Sequence, residues 1–172
     1  VDGLLRVDAP LRQRVRVRGV TTHVAAGRGL YLRGEGGSMF VQTAQSMTLQ
    51  IGDEVEAEGY PIVTPFRPSM SAVDVKKTST AAKPEPVEFH AAQTRNSREQ
   101  CELVTFTAAL LEVNRDRTGM NLVCRAEGQT FEAALGLPLQ PVEELMPGMK
   151  LRLTGICEFI TDRPLVIPRN AT

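Results

Sequence analysis

The 172-residue sequence carries 20 Lys and Arg against 20 Asp and Glu, a formal net charge of zero, with 42% hydrophobic and 23% charged residues. That balance fits a globular chain and lacks the basic surplus that a long nucleic-acid footprint brings. No apolar run approaches the roughly 18 residues of a membrane-spanning helix, and with no Trp and 5% aromatics there is little material for stacking bases.

The chain opens at Val1 without a signal-peptide pattern. It is read as a fragment of a longer protein, with any membrane attachment in segments outside this chain. The first strong signal is RVRVRGVTTHV, Arg14 to Val24, where Arg alternates with Val. Period two is the mark of a half-buried strand, with Val15 and Val17 on one face and Arg14, Arg16 and Arg18 on the other. GLYLR and SMFVQT follow, joined through RGEGGS. A phosphate cradle would lead into a helix and carry a Lys-Ser/Thr pair. Here the glycines lead into Met39-Phe40-Val41, so they read as a hairpin turn. DEVEAEGYPIV alternates again, with Val55 and Ala57 against Glu54, Glu56 and Glu58, and SAVDVKKT makes a fifth strand. Five short strands punctuated by turn residues predict a small sandwich or barrel.

Residues 80–101, rich in Ala, Lys, Pro and polar groups, read as a linker with a short helix around Ala91 to Gln100. The strand pattern then restarts with ELVTFTAALLEV and with MNLVCRAEGQTFEAAL, a hairpin turning at Glu127-Gly128. PVEELMPGMKLRLTGICEF predicts a short helical segment, a turn and another strand. The halves match internally. Gly52 and Gly148 each precede an alternating strand that ends on a second glycine, Gly59 and Gly155, seven residues on. Val55 and Ala57 correspond to Leu151 and Leu153, and Val15 and Val17 to Val104 and Phe106. The fold expected is all-β: two copies of one five-stranded unit in tandem, at 1–79 and 102–172, with short helical segments in the connections. Only DRPLVIPRNAT follows Thr161, so the second barrel is expected to have a short or truncated last strand. The sheet edge this exposes would invite pairing with a second copy.

No nucleophile–base–acid set stands out, and no enzymatic activity is expected. His23 and His90 read as solvated or hydrogen-bonded side chains. Glu54, Glu56 and Glu58 share a strand face that could hold a cation, but no neighbouring carboxylates converge on it, and a solvated outer face is the simpler reading. Cys101, Cys124 and Cys157 form no CxxC pair, so neither a metal nor a cofactor is expected. The odd count leaves at least one thiol without an internal partner. Cys124 and Cys157 lie in apolar stretches and read as buried thiols.

The best constellation is the outer face of the first barrel. If Val15, Val17, Leu30, Leu32, Met39 and Val41 point inward, then Arg16, Arg18, Tyr31, Arg33 and Phe40 point outward. Two aromatics among arginines could stack a ring and pair an anion on the face of strands two and three, which such barrels use for ligands. The competing reading, and the favoured one, is that the linker or the other barrel covers Tyr31 and Phe40.

These elements resemble the oligonucleotide/oligosaccharide-binding (OB) fold, which implies two tandem five-stranded Greek-key barrels. More specifically, they are similar to small barrels in the extracytoplasmic regions of bacterial sensor histidine kinases and related membrane signalling proteins. The family pattern runs Val-x-Val-x-Gly-Val, Leu-Phe-Leu-Gln-Asp-x-Thr-Gly-Gly and Gly-Asp-x-Val-x-Val-x-Gly. Val15, Val17, Gly19 and Val20 match the first part, Leu30, Tyr31, Leu32 and Gly37 the second, and Gly52, Asp53, Val55 and Gly59 the third. Gly34 and Gly36 stand where Asp and Thr would be, and Ser38 replaces the second Gly. The likeness is good over 14–77 and weak over 102–160. It implies a non-catalytic sensory or binding module, periplasmic or otherwise extracytoplasmic, with an unidentified ligand or protein partner. A single-stranded nucleic-acid binder, against which charge and composition argue, and a structural spacer or protein-docking domain are the alternatives.

Overall fold

Complementary rows of charge face each other across the first strand pair. In the computed structural model, which describes residues 13–45, 48–62, 67–91, 99–115, 117, 119–136, 145–159 and 164–171, β1 (Val15–Ala25) runs antiparallel to β4 (Asp53–Ile62). Arg16 stands opposite Glu58, and Arg18 opposite Glu56. The same register sets Val17 against Ala57 and Gly19 against Val55 on the inner face. Beyond Val20, β1 changes partner and pairs with β2 (Gly29–Gly34), with a bulge between Thr21 and His23 that bends the strand. β2 and β3 (Gly37–Gln42) form the expected hairpin, closing where Gly34 meets Gly37.

β3 pairs in parallel with β5 (Ser69–Thr80), and β5 pairs antiparallel with β4. The result is a closed barrel in the order β1-β2-β3-β5-β4, the OB-like Greek key. Its interior holds Val17, Leu30, Leu32, Met39, Val41, Val55, Ala57, Met70 and Val75, with Val15 packed against them. The inward residues expected from period two are all among these.

The second unit repeats this plan. β7 (Leu103–Arg115), β8 (Gly119–Ala126) and β9 (Gln129–Gly136) form a meander, and β10 (Lys150–Phe159) pairs back onto β7. β11 (Pro164–Ala171) lies between β10 and β9, parallel to β9. The last strand is therefore present, and it takes the edge from which pairing with a second copy was expected. A two-residue strand, β6 (Val87–Glu88), adds in parallel to β7 and carries Phe89 into the core. There Phe89, Phe106 and Phe131 meet in sequence, tilted and then edge to face, at ring-centroid separations of 5.0 and 4.9 Å.

The internal repeat holds at the level of register. Val15 pairs with Gly59 and Val17 with Ala57, while Val104 pairs with Gly155 and Phe106 with Leu153. Gly52 and Gly148, just before the fourth strand of each copy, both take positive φ, at 95° and 93°, a region that L side chains rarely adopt. Gly59 serves another need: a Cβ there would lie 2.1 Å from the Ser71 carbonyl oxygen.

The chain divides into a first unit, Val1–Glu85 with Gln100–Glu102, and a second, Pro86–Glu99 with Leu103–Thr172. Both ends of the stretch read as a linker thus belong to folded units. No α-helix occurs among the described residues. The helical connections expected from the sequence fall largely on 92–98 and 141–144, outside the described residues.

Candidate ligand face of the first barrel

The arginines at the start of β1, with Arg14 just before it, are met by glutamates of β4. Arg14 Nη1 lies 3.1 Å from Glu58 Oε1, Arg16 Nη2 3.3 Å from Glu58 Oε2, and Arg18 donates to Glu56 at 2.6 Å. The Arg18 hydrogen bond leads the effects that hold the Glu56 carboxyl below its ordinary range. Glu54 accepts from Ser79 on β5. Lys76 pairs with Asp74 at 2.7 Å, which raises its pKa. Exposed pairs of this kind add little stability; their effect is to cancel charge. On the glutamate face considered for a cation, Glu56 and Glu58 are met by guanidinium groups and Glu54 by the Ser79 hydroxyl. No cluster of metal-ligating side chains occurs among the described residues. The readable signal was the complementarity of RVRVR and EVEAE, since the barrel topology pairs strands one and four.

Tyr31 and Phe40 stand opposite each other on β2 and β3, facing away from the barrel interior. They are nonetheless buried, at 1% and 5% exposure. Their rings meet at 4.9 Å, His23 lies 5.8 Å from Tyr31, and the Arg67 guanidinium sits 4.4 Å over Phe40. In this arrangement the two rings do not form an exposed platform.

Arg33 shares their face one strand repeat away, opposite Ser38. The returning segment Gln100–Glu102 lies on this face. Arg33 Nε donates to Glu102 Oε1 at 2.8 Å, its Nη2 donates to the same oxygen, and Nη1 reaches the Glu85 carbonyl at 2.8 Å. Ser38 Oγ donates to the other Glu102 oxygen at 2.9 Å. Cys101, in the left-handed region at φ 63°, directs its thiol toward the Pro68 carbonyl that also accepts the Phe40 amide. Sequence reasoning missed Glu102, Ser38 and Arg67, because nothing local marks a contact between residues 69 positions apart.

Of the five residues expected to share a site, Tyr31, Arg33 and Phe40 come together. Arg16 and Arg18 belong to the separate charge ladder. An open recess of about 470 Å³ reaches from Arg18 to Arg33, with Glu35 and Glu54 also on its walls, so it carries both signs of charge. At the mouth of the barrel, buried Asp53 accepts from the Gln50 amide at 2.9 Å and Thr80 Oγ1 at 3.2 Å, with Lys77 Nζ at 2.6 Å. This network ties the start of β4 to the end of β5.

No family model and no curated protein matches the chain. Among solved structures it is similar to a tetrameric HIN2 domain, with 10% identity, 92% of each chain covered and a TM-score of 0.43. It is also similar to a murine DNA-binding protein bound to double-stranded DNA, with 11% identity, 93% of each chain covered and a TM-score of 0.41. A HINa domain in complex with double-stranded DNA gives 8% identity and a TM-score of 0.39, covering 93% of this chain and 97% of that one. At these identities and scores the ligands of those structures do not transfer to this chain.

Proposed function

We propose that the chain is a non-catalytic binding module of a larger bacterial membrane signalling protein, presenting its barrels to a protein partner outside the cytoplasm. The observation that carries the reading against a polyanion groove is charge cancellation. Arg14, Arg16 and Arg18 are met by Glu56 and Glu58, and Arg33 by Glu102. A surface that binds phosphates does so with Lys and Arg not already paired to carboxylates, and each of these arginines already meets a glutamate. The Val-x-Val-x-Gly-Val and Gly-Asp-x-Val motifs support the signalling context through their resemblance to sensor-kinase barrels.

Nucleic-acid binding is the second reading. Arg28, Arg67 and Arg117 lie in the turns between first and second or fourth and fifth strands, the loops with which OB barrels hold oligonucleotides. The solved structures of similar arrangement include complexes with double-stranded DNA. Fluorescence anisotropy with labelled single- and double-stranded oligonucleotides at physiological salt separates the readings. The module reading predicts affinity no tighter than the non-specific range, about 10⁻⁶ to 10⁻⁴ M. Sub-micromolar binding would replace it with the second.

A further inference from the structure

Glu102 sits where a bound carboxylate would be held. Its Oε1 takes two donors of the Arg33 fork and its Oε2 takes the Ser38 hydroxyl, so both carboxylate oxygens are held, one of them by charge-assisted hydrogen bonds. The pair is not sealed: the Arg33 and Glu102 side chains keep 26% and 14% of their exposure. A second cation shares the face, Arg67 over Phe40. Phe40 lies two residues from Ser38 along β3, about 7 Å at strand rise. Alternate residues of an extended peptide repeat at that same spacing. The segment that fills the site is also under backbone tension, since Cys101 holds φ 63° without being glycine.

We infer that Arg33 and Ser38 form a carboxylate-binding site that Glu102 fills at rest and that an acidic segment of a partner protein, of the form Glu-x-Glu, takes over. The inference deepens the binding-module reading and rests on it. An internal carboxylate acts at an effective concentration on the order of millimolar when its tether is short and flexible. A single free carboxylate therefore competes poorly. A segment that engages Arg33 and Arg67 together gains a second contact that Glu102 does not make.

The test uses the whole chain, with acetyl-Glu-Ala-Glu-amide, glutarate and inorganic phosphate as probes. Binding is followed on the Arg33 Nε–H NMR signal, assigned by its loss in Arg33→Lys. Glu102→Gln removes the competing charge and is expected to tighten peptide binding about tenfold or more over the unaltered chain. In the double variant Arg33→Lys with Glu102→Gln, the same titration followed on backbone amides of β2 and β3 is expected to lose that gain. Glu102→Asp keeps a carboxylate on a shorter stem and is expected to show a smaller gain, so it carries the test should Glu102→Gln fail to fold. Peptide binding tighter than glutarate binding supports an acidic segment. Equal affinity for the two overturns that source, and binding of phosphate alone, or no gain in either folded Glu102 variant, overturns the site. Nucleic-acid affinity is read separately on the unaltered chain, so failure here is distinguishable from failure of the module reading.

Discussion

Arg33 and Glu102 stand 69 positions apart in sequence and are joined by a forked ion pair, with Nε at 2.8 Å from Oε1. A partly buried, hydrogen-bonded pair of this kind should couple measurably. A double-mutant cycle with Arg33→Ala and Glu102→Ala, read by urea unfolding, should return a coupling of about 1–3 kcal/mol. Strict additivity of the two substitutions would show that the contact does not hold the segment on the barrel.

Phe40 is 5% exposed although it faces away from the barrel interior. Phe40→Ala should therefore cost about 3–5 kcal/mol, as in a core. A loss within about 0.5 kcal/mol, the scale of surface changes, would mean the ring is open to solvent and would revive the exposed-platform reading. Urea midpoints decide.

Gly148 and Gly59 separate two kinds of glycine requirement. Around Gly148 there is open space, but φ is 93°, so Gly148→Ala meets conformational strain alone, on the order of 1–3 kcal/mol. Gly59→Ala meets the Ser71 carbonyl at 2.1 Å and should be the more damaging substitution. Thermal unfolding of the two variants checks the order, and the reverse order would contradict the strand pairing of β4 and β5.

Asp53 makes stability depend on acid. Lys77 first, then the Gln50 amide and Thr80, hold its carboxyl below the ordinary 3.8, with burial opposing. The folded-state pKa is thus lower than the unfolded one. Its contribution is fully present above about pH 3.8 and is lost as pH falls through the folded-state value. Urea midpoints measured from pH 7 down to pH 2 should fall less steeply at the acid end in Asp53→Asn. An identical pH profile would contradict the network.

Cys124 responds at the other end of the scale. Burial pushes its thiol up to about 11 from 9.0, so the unfolded chain ionises first. Stability is intact below pH 9 and declines as pH rises toward 11. The thiol should resist a disulfide reagent at pH 8 until urea unfolds the chain, and rapid native labelling would contradict its placement in the core.

Much of the fold could be read from the sequence because alternation and turn glycines are local. RVRVR and EVEAE announced two strands with opposite outer charge, and Gly52, Gly59, Gly148 and Gly155 announced a repeat that the register reproduces residue for residue. The addition of Val87–Glu88 to the second sheet was not readable, because two residues carry no period. The site was legible only in part. Period two places Tyr31, Arg33 and Phe40 on one outer face, but burial of that face depends on contacts made by distant residues. Glu102 lies just before an alternating strand and carries no pattern of its own, and only the folded chain brings it to Arg33 and Ser38.

The outer face of β2 and β3 is covered at Tyr31 and Phe40, and the composition offers a direct probe of it. The chain has two tyrosines and no tryptophan, and Tyr31 is 1% exposed where Tyr60 is 39% exposed. In Tyr60→Phe, Tyr31 is the sole strong ultraviolet emitter, and iodide quenching of its fluorescence reports whether the face is covered. Quenching far weaker than that of Tyr60 in the reciprocal Tyr31→Phe variant is expected. Quenching of Tyr31 as efficient as that of Tyr60, in a folded chain, would contradict a covered face.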